Sequence, residues 1–456
     1  MALPVRVRAS GPPRASPPPA AGGPGRPGRV PPREVARLKR LVLALAVLVL
    51  AGTVAAQTLD VWVWDINKPA LESTIASFQQ LHPGVQVNVE DLGNQNVYDR
   101  GLAGCAAGGL DMPDVYLVEN NEAQVFWAQF PDCFTDLRTL GADGLKPAFP
   151  AFKWAELMQD GAVYAIPYDS GPTTMFYRTD LYQQAGIDPA SILTWDDFVT
   201  EGTKLVTHFS GDVKMGTIAK GSDDEWFRML ANQAGCFYFD NAGDKVTVNQ
   251  PGCVTAMDTM KKIWDAGLLW AGDWGNQIQF FQQSKEASAF FGSWYAGTIE
   301  SEAPEQAGKW GVYTTPALTP GGVRASNLGG SALAIPSSSK NPKLAYDFIT
   351  NALANKDNQI DILFNYGLTP SLLSVMGDPR LDQGVSYFGG QPIWKTILGT
   401  LGDVPPVVGT QFFQEARNVM IAVVNDYLDG KYPDAKAALD TAARQISQAT
   451  GLPVAD

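Results

Sequence analysis

Three pairs of residues, Trp64-Asp65, Glu119-Asn120 and Tyr168-Asp169, stand where alternating or apolar β-like runs stop. Each brings a carboxyl group, and two bring an aromatic ring. Flat rings offer an apolar face, while carboxyls and amides offer hydrogen-bond acceptors and donors in fixed forks. A fourth group, Gly292-Ser293-Trp294-Tyr295-Ala296-Gly297, sets two aromatics at a strand-to-helix turn where glycine lets backbone approach a ligand. Structural roles compete for the same residues: Asp65 and Asn120 serve equally well as helix caps, and Trp294 as a core side chain.

Elements that could position these groups follow from periodicity. Residues 59–64 alternate as a strand, 70–81 read as a helix ended by His82-Pro83-Gly84, and 85–89 alternate again. A small-residue helix near 102–107, an apolar strand over 114–118 and a helical run over 124–129 follow. Strand, helix, strand, helix, strand predicts a parallel α/β sheet, whose ligands sit beyond the carboxyl ends of the strands. The stretch 161–182 reads as a strand, a polar aromatic turn at Tyr168-Asp169-Ser170-Gly171-Pro172, a second strand and a helix, which is a crossover from one lobe to another. A second crossing strand is read near 310–316, with a buried strand resuming over 328–336. Residues 348–454 read as mostly helical, with 366–370 as the last passage. The run Thr194-Trp195-Asp196-Asp197-Phe198 opens a helix with acidic residues in its first turn and takes a structural role.

With 456 residues and 45% hydrophobic content, the chain can fill two cores. Residues 1–33 are rich in Pro, Gly, Ala and Arg and cannot bury enough surface to fold. Residues 37–56 combine a basic start, a short apolar run and a small-residue cleavage site, so 1–56 is read as leader and signal peptide, with a mature start near 57. The residues before Val35 are surplus to such a signal, and Val35 is a candidate initiator. Nine of the 34 basic and one of the 47 acidic residues precede residue 57, leaving 25 basic against 46 acidic and a balance of −21. That charge argues against nucleic acid as a partner. In an exported protein Cys105 with Cys133 and Cys236 with Cys253 is the simplest of three disulfide connectivities, and no metal or cofactor is expected.

In order along the chain, VWVWD, PDVYLVENN, YAIPYD with MFYRTDLYQQAGI, TWDDF, FFGSWYAG, GKWGVYTTPAL and GGSALAIP with KNPKLAYDFI resemble the extracellular solute-binding proteins of carbohydrate ABC importers, the group that includes maltose-binding protein. The resemblance implies an α/β, two-lobed periplasmic-binding-protein fold (type II), with discontinuous lobes joined by a hinge. The lobes would be 57–168 with 317–370, and 169–316 with 371–456. It implies that the chain captures a neutral mono- or oligosaccharide in the cleft, acts as a monomer in the periplasm or outside the cell, and delivers its ligand to the permease subunits of an ABC transporter. The family's ligand loops correspond to Trp64, Asp65, Glu119, Asn120, Tyr168, Asp169, Trp294, Tyr295, Gly330 and Ser331. The candidate set also takes in Trp226 at the head of an amphipathic helix, Trp274 in Gly272-Asp273-Trp274-Gly275, and Tyr366 in the last passage. Gln57 stands where many relatives carry a lipid-modified cysteine, which favours a periplasmic protein over an anchored one.

A pyranose ring has an apolar C–H face and a rim of hydroxyls, matching aromatic platforms edged by carboxyl and amide groups. Acidic candidate loops disfavour an anionic ligand. The rival reading is a secreted glycoside hydrolase, for which Asp65, Glu119 and Asp169 could supply the carboxylate pair. No acid/base signature, Ser-His-Asp motif or metal cluster supports it, and the expectation is a binder rather than an enzyme.

Overall fold

Leu59, Val61 and Val63 are buried in β1 (Thr58–Val63), while the residues between them point outward. That period of two lets one face of the strand meet helices. A computed structural model of the chain describes residues 57–407 and 409–456, so the expected leader lies outside the described residues. The strands that follow are β2 (Gln86–Asp91), β3 (Val115–Glu119), β4 (Met158–Gln159), β5 (Ala162–Val163), β6 (Ala165–Pro167), β7 (Thr173–Arg178), β8 (Gly216–Ile218), β9 (Leu269–Ala271), β10 (Ser288–Gly292), β11 (Trp310–Thr314) and β12 (Ser331–Ala334).

Two sheets organise them. The first has the order β2-β1-β3-β12-β6, and the second β10-β7-β11. In the first, β1 runs parallel to β2 and β3, as the alternation of strands and helices predicts. β12 differs: it inserts antiparallel between β3 and β6, pairing Ser331 with Glu119 and Ala332 with Pro167. It reaches the sheet from the second sheet, so no right-handed helical crossover forces it parallel. The four residues from Val115 to Val118 are all buried because β3 is central and covered on both faces.

The helix expected over 70–81 is two helices, Asn67–Glu72 and Ile75–Leu81. Ser73 Oγ and Thr74 Oγ1 donate back to the carbonyls of Ala70 (2.6 Å) and Leu71 (2.8 Å), and this side-chain competition interrupts the helix. The helix expected near 102–107 extends over Asn94–Ala106. Thr194 and Asp197 form a reciprocal capping box on Trp195–His208, the structural role read from the sequence. The C-terminal region is helical over Pro342–Leu353, Lys356–Tyr366, Phe413–Leu428 and Ala435–Thr450, but 367–407 is mostly short turns. Pro370, Pro379, Pro392, Pro405 and Pro406 interrupt helical continuation there.

The chain passes between the sheets at 168–172 and again at 315–330. A third passage follows Tyr366, since Lys356–Tyr366 packs on Asn67–Glu72 beside the first sheet and Ile393–Leu398 packs on β11. Hydrogen bonds lace these passages. Ser170 N–H donates to Thr369 O (2.9 Å), Ser371 N–H to Tyr168 O (3.1 Å) and Leu328 N–H to Gly171 O (2.8 Å). A Cβ on Gly171 would lie 1.9 Å from Leu328 O, so glycine is what lets two of the passages touch. Disulfides close Cys105–Cys133 and Cys236–Cys253, the expected pairing.

Candidate functional site

The carboxyl ends of β1, β3 and β10 open on a cavity of about 570 Å³ between the two sheets. Its first wall begins with Trp64, whose ring centroid lies 5.9 Å from that of Tyr98. Asp65 follows, exposed, with φ at 50° in the left-handed region that Asp tolerates better than most residues. Asn67 is only 5% exposed; its Nδ2 donates to Trp64 O (2.9 Å) and its Oδ1 has no protein partner. Glu119 ends β3, and its backbone N–H donates to Tyr98 Oη (2.9 Å). Burial pushes the Glu119 carboxyl up to about 7, Glu122 and Asp169 add to the rise, and Arg228 and Arg417 oppose it.

The floor comes from the chain passages: Asp169, Leu328, Gly329, Gly330, Ser331 and Leu368. Ser331 donates its backbone N–H to Asp169 Oδ1 at 2.8 Å and its hydroxyl to the same oxygen.

The opposite wall carries acids and aromatics. Asp223, Glu225 and Arg228 line it from the head of the helix Glu225–Gln233, and Asp273, Trp274 and Gln277 from the head of the helix Trp274–Gln282. Although burial opposes it, the guanidinium groups of Arg228 and Arg417 hold the Asp223 carboxyl at about 2. Burial beside the Asp223 carboxylate drives Glu225 the other way, to about 8. Arg228 is itself engaged, donating to Asp223 and Asp224 at 2.8 Å each. Trp274, 44% exposed, stands 6.0 Å from Trp294 at an interplanar angle of 38°. Trp294 is held by its Nε1–H, which donates to Leu328 O at 2.9 Å. The wall is therefore an aromatic platform edged by carboxyl groups.

Of the residues expected in the site, Trp64, Asp65, Glu119, Asp169, Trp274, Trp294, Gly330 and Ser331 line this cavity. Asn120, Tyr168, Trp226, Tyr295 and Tyr366, also expected there, do not line it. The Asn120 amide turns away to Glu156, and Asn121 faces the cavity instead. Tyr168 is buried behind the floor. Trp226 packs between Trp195 and Phe290 and donates to Thr217 O (2.9 Å), because Glu225 and Arg228, three residues apart, own the cavity face of their helix. Tyr295 stacks beneath Phe291 at 4.6 Å. Tyr366 closes its helix against the core, and Leu368 reaches the cavity two residues later.

Among the residues missed, Asp273 adjoins the singled-out Trp274, and the acid-rich run Ser222-Asp223-Asp224-Glu225 was legible as a polar helix head. Asn67 and Gln277 carried no separate signal. Among the described residues no group of three or more His, Cys, Asp or Glu side chains is placed to hold a metal ion, and no helix is long and apolar enough to cross a membrane.

Two α/β layers joined by three chain passages around a ligand-sized cavity define a two-lobed binding protein of the type II periplasmic fold. The sequence profile of the bacterial extracellular solute-binding proteins matches residues 64–359, and the chain belongs to that family. It is 30% identical over 423 residues to a lactose-binding protein of Rhizobium radiobacter, covering 90% of this chain and 98% of that one. It is 28% identical over 299 residues to an arabinooligosaccharide-binding protein of Bacillus subtilis (strain 168), covering 64% and 68%. Among solved structures, an ABC-transporter-associated binding protein of B. animalis subsp. lactis Bl-04, in complex with β-1,6-galactobiose, superposes with a TM-score of 0.68 at 24% identity, covering 88% of this chain and all of that one.

Proposed function

We propose that this protein is the substrate-binding component of an ABC sugar importer, capturing a neutral mono- or oligosaccharide between its lobes and handing it to membrane permease subunits. The observation that carries this reading is the Trp274–Trp294 platform facing the carboxyl groups of Asp65, Glu119 and Asp169 across one cavity. Indole faces take the C–H side of a pyranose, and the carboxyl groups accept from its hydroxyls. Among the described residues the one cation lining the cavity, Arg228, is already paired with Asp223 and Asp224, which leaves little to hold an anion. The lactose- and arabinooligosaccharide-binding relatives support a saccharide ligand. The lobes are 57–168 with 317–370 and 169–316 with 371–456, and they close on the sugar about the passages at 168–172, 315–330 and 366–371. The protein works as a monomer outside the cytoplasm, exported by the leader 1–56, and it binds without cleaving. Asp169 supports that last point: two Ser331 donors occupy one of its oxygens, which suits a rim acceptor better than a nucleophile.

Calorimetric titration with lactose, arabinotriose and β-1,6-galactobiose, with chromatography of the sugar afterwards and small-angle scattering of both states, tests the proposal. Binding of at least one sugar, recovered intact, with a smaller radius of gyration is expected. Absence of binding across the panel, or hydrolysed sugar, overturns it.

A further inference from the structure

Below the cavity floor lies a lysine with no exposed surface. Lys153, on the helix Ala151–Leu157, places its Nζ 2.9 Å from the backbone oxygen of Asp169, 3.3 Å from that of Ser331 and 3.9 Å from Glu156 Oε2. An ammonium has three N–H donors, and three acceptors surround this one. The network continues outward. Asn120 Nδ2 donates to Glu156 Oε2, Gln124 Nε2 donates to Glu156 O at 2.6 Å, and the Asn120 backbone N–H donates to Gly330 O at 3.0 Å. Gly330 has φ at +107°, and a Cβ there would lie 2.9 Å from Asp169 O and 3.2 Å from Lys153 Nζ, so nothing larger than hydrogen separates ammonium and floor.

Two features make this cluster more than a stabilising ion pair. A buried pair commonly stabilises a fold no better than apolar side chains of the same volume, so stability alone gives weak reason for an ammonium here. Its two backbone acceptors also belong to distant chain segments, Asp169 in the first passage and Ser331 at the start of β12, and both residues line the cavity. Burial drives the Lys153 ammonium toward deprotonation, and Glu156, Asp169 and Glu119 hold the proton on.

We infer that Lys153 is a positioning residue for ligand binding: by drawing the Asp169 and Ser331 carbonyls to one point, it sets the Asp169 carboxyl and the Gly330–Ser331 backbone against the ligand. The affinity arm of this inference rests on the sugar-binding reading above.

The test compares wild type with Lys153→Met and with Lys153→Met/Glu156→Leu, the second removing both charges so that no lone buried carboxyl threatens folding. Each is titrated with whichever of lactose, arabinotriose or β-1,6-galactobiose binds wild type, far below its melting temperature. Amide hydrogen exchange is followed in parallel. The double variant is expected to fold, to bind at least tenfold more weakly, and to lose exchange protection at Asn120, Tyr168 and Ser331 while helices remote from the floor keep theirs. Asp169→Asn should weaken wild type strongly and the double variant little, because the carboxyl is already misplaced there. Wild-type affinity in the double variant, fully additive effects, or protection lost uniformly along the chain would each overturn the inference. If no sugar binds wild type, the sugar reading fails by itself, and localised against unchanged exchange at those three amides still decides the role of Lys153.

Discussion

Glu286 is completely buried, just before β10, and carries a pH dependence that can be worked out from its surroundings. One oxygen accepts from Thr217 Oγ1 at 2.5 Å, and the Gln277 amide lies beside the carboxyl. Burial raises the group from its ordinary 4.5 to about 8, against the pull of Thr217 and Gln277. The folded protein therefore keeps a proton that the unfolded chain releases above 4.5. In that window the unfolded state binds fewer protons, so stability falls as pH rises and levels off near pH 8, where the folded form ionises too. Each pH unit in the window is worth about 1.4 kcal/mol, so by pH 7 the buried carboxyl has cost on the order of 3 kcal/mol relative to a group that never ionises. Glu286→Gln is such a group, nearly isosteric and able to meet Thr217. Its stability minus that of wild type should climb by about 1.4 kcal/mol per pH unit between roughly pH 5 and 8. Denaturant unfolding of both proteins at pH 5, 6, 7 and 8 measures it, and the comparison cancels the other titrating acids, Glu119, Glu156 and Glu225. A difference independent of pH would mean that Glu286 titrates normally, and the burial argument would fall.

Two further outcomes follow from the geometry. Trp274 is 44% exposed and meets Phe291, Trp294 and Tyr295 only at tilted or edge-on angles, so Trp274→Ala should cost about 1 kcal/mol of stability yet weaken sugar binding about tenfold or more; a lowered melting temperature with unchanged affinity would remove it from the site. The bond Cys236–Cys253 spans a sequence separation of 17, so replacing both cysteines by alanine should lower the unfolding free energy by about 3 kcal/mol, and an unchanged denaturant midpoint would refute that.

Much of the site was legible because strand periodicity and strand ends are local properties. The alternation through Trp64 and the apolar run into Glu119 mark where β1 and β3 stop, and residues just beyond a strand end point into whatever cleft the sheet borders. The disulfide pairing was legible because four cysteines allow few connectivities. The run of Gly292, Ser293 and Trp294 after an apolar strand likewise marks a turn.

The face each helix presents was not legible, since that depends on partners distant in the chain. Trp226 and Glu225 are neighbours in sequence, yet Trp195 and Phe290 claim the indole for the core and leave Glu225 and Arg228 to the cavity. Asn120 and Asn121 divide in the same way, because Glu156 captures the first. Tyr295 is covered by Phe291, and the antiparallel entry of β12 depends on a passage that starts in the other sheet. Lys153 looks like an ordinary surface residue of a short helix. Its role exists only where Asp169 and Ser331, 162 residues apart in the chain, bring their carbonyls to a single ammonium, a coincidence that local propensity cannot encode and tertiary packing creates.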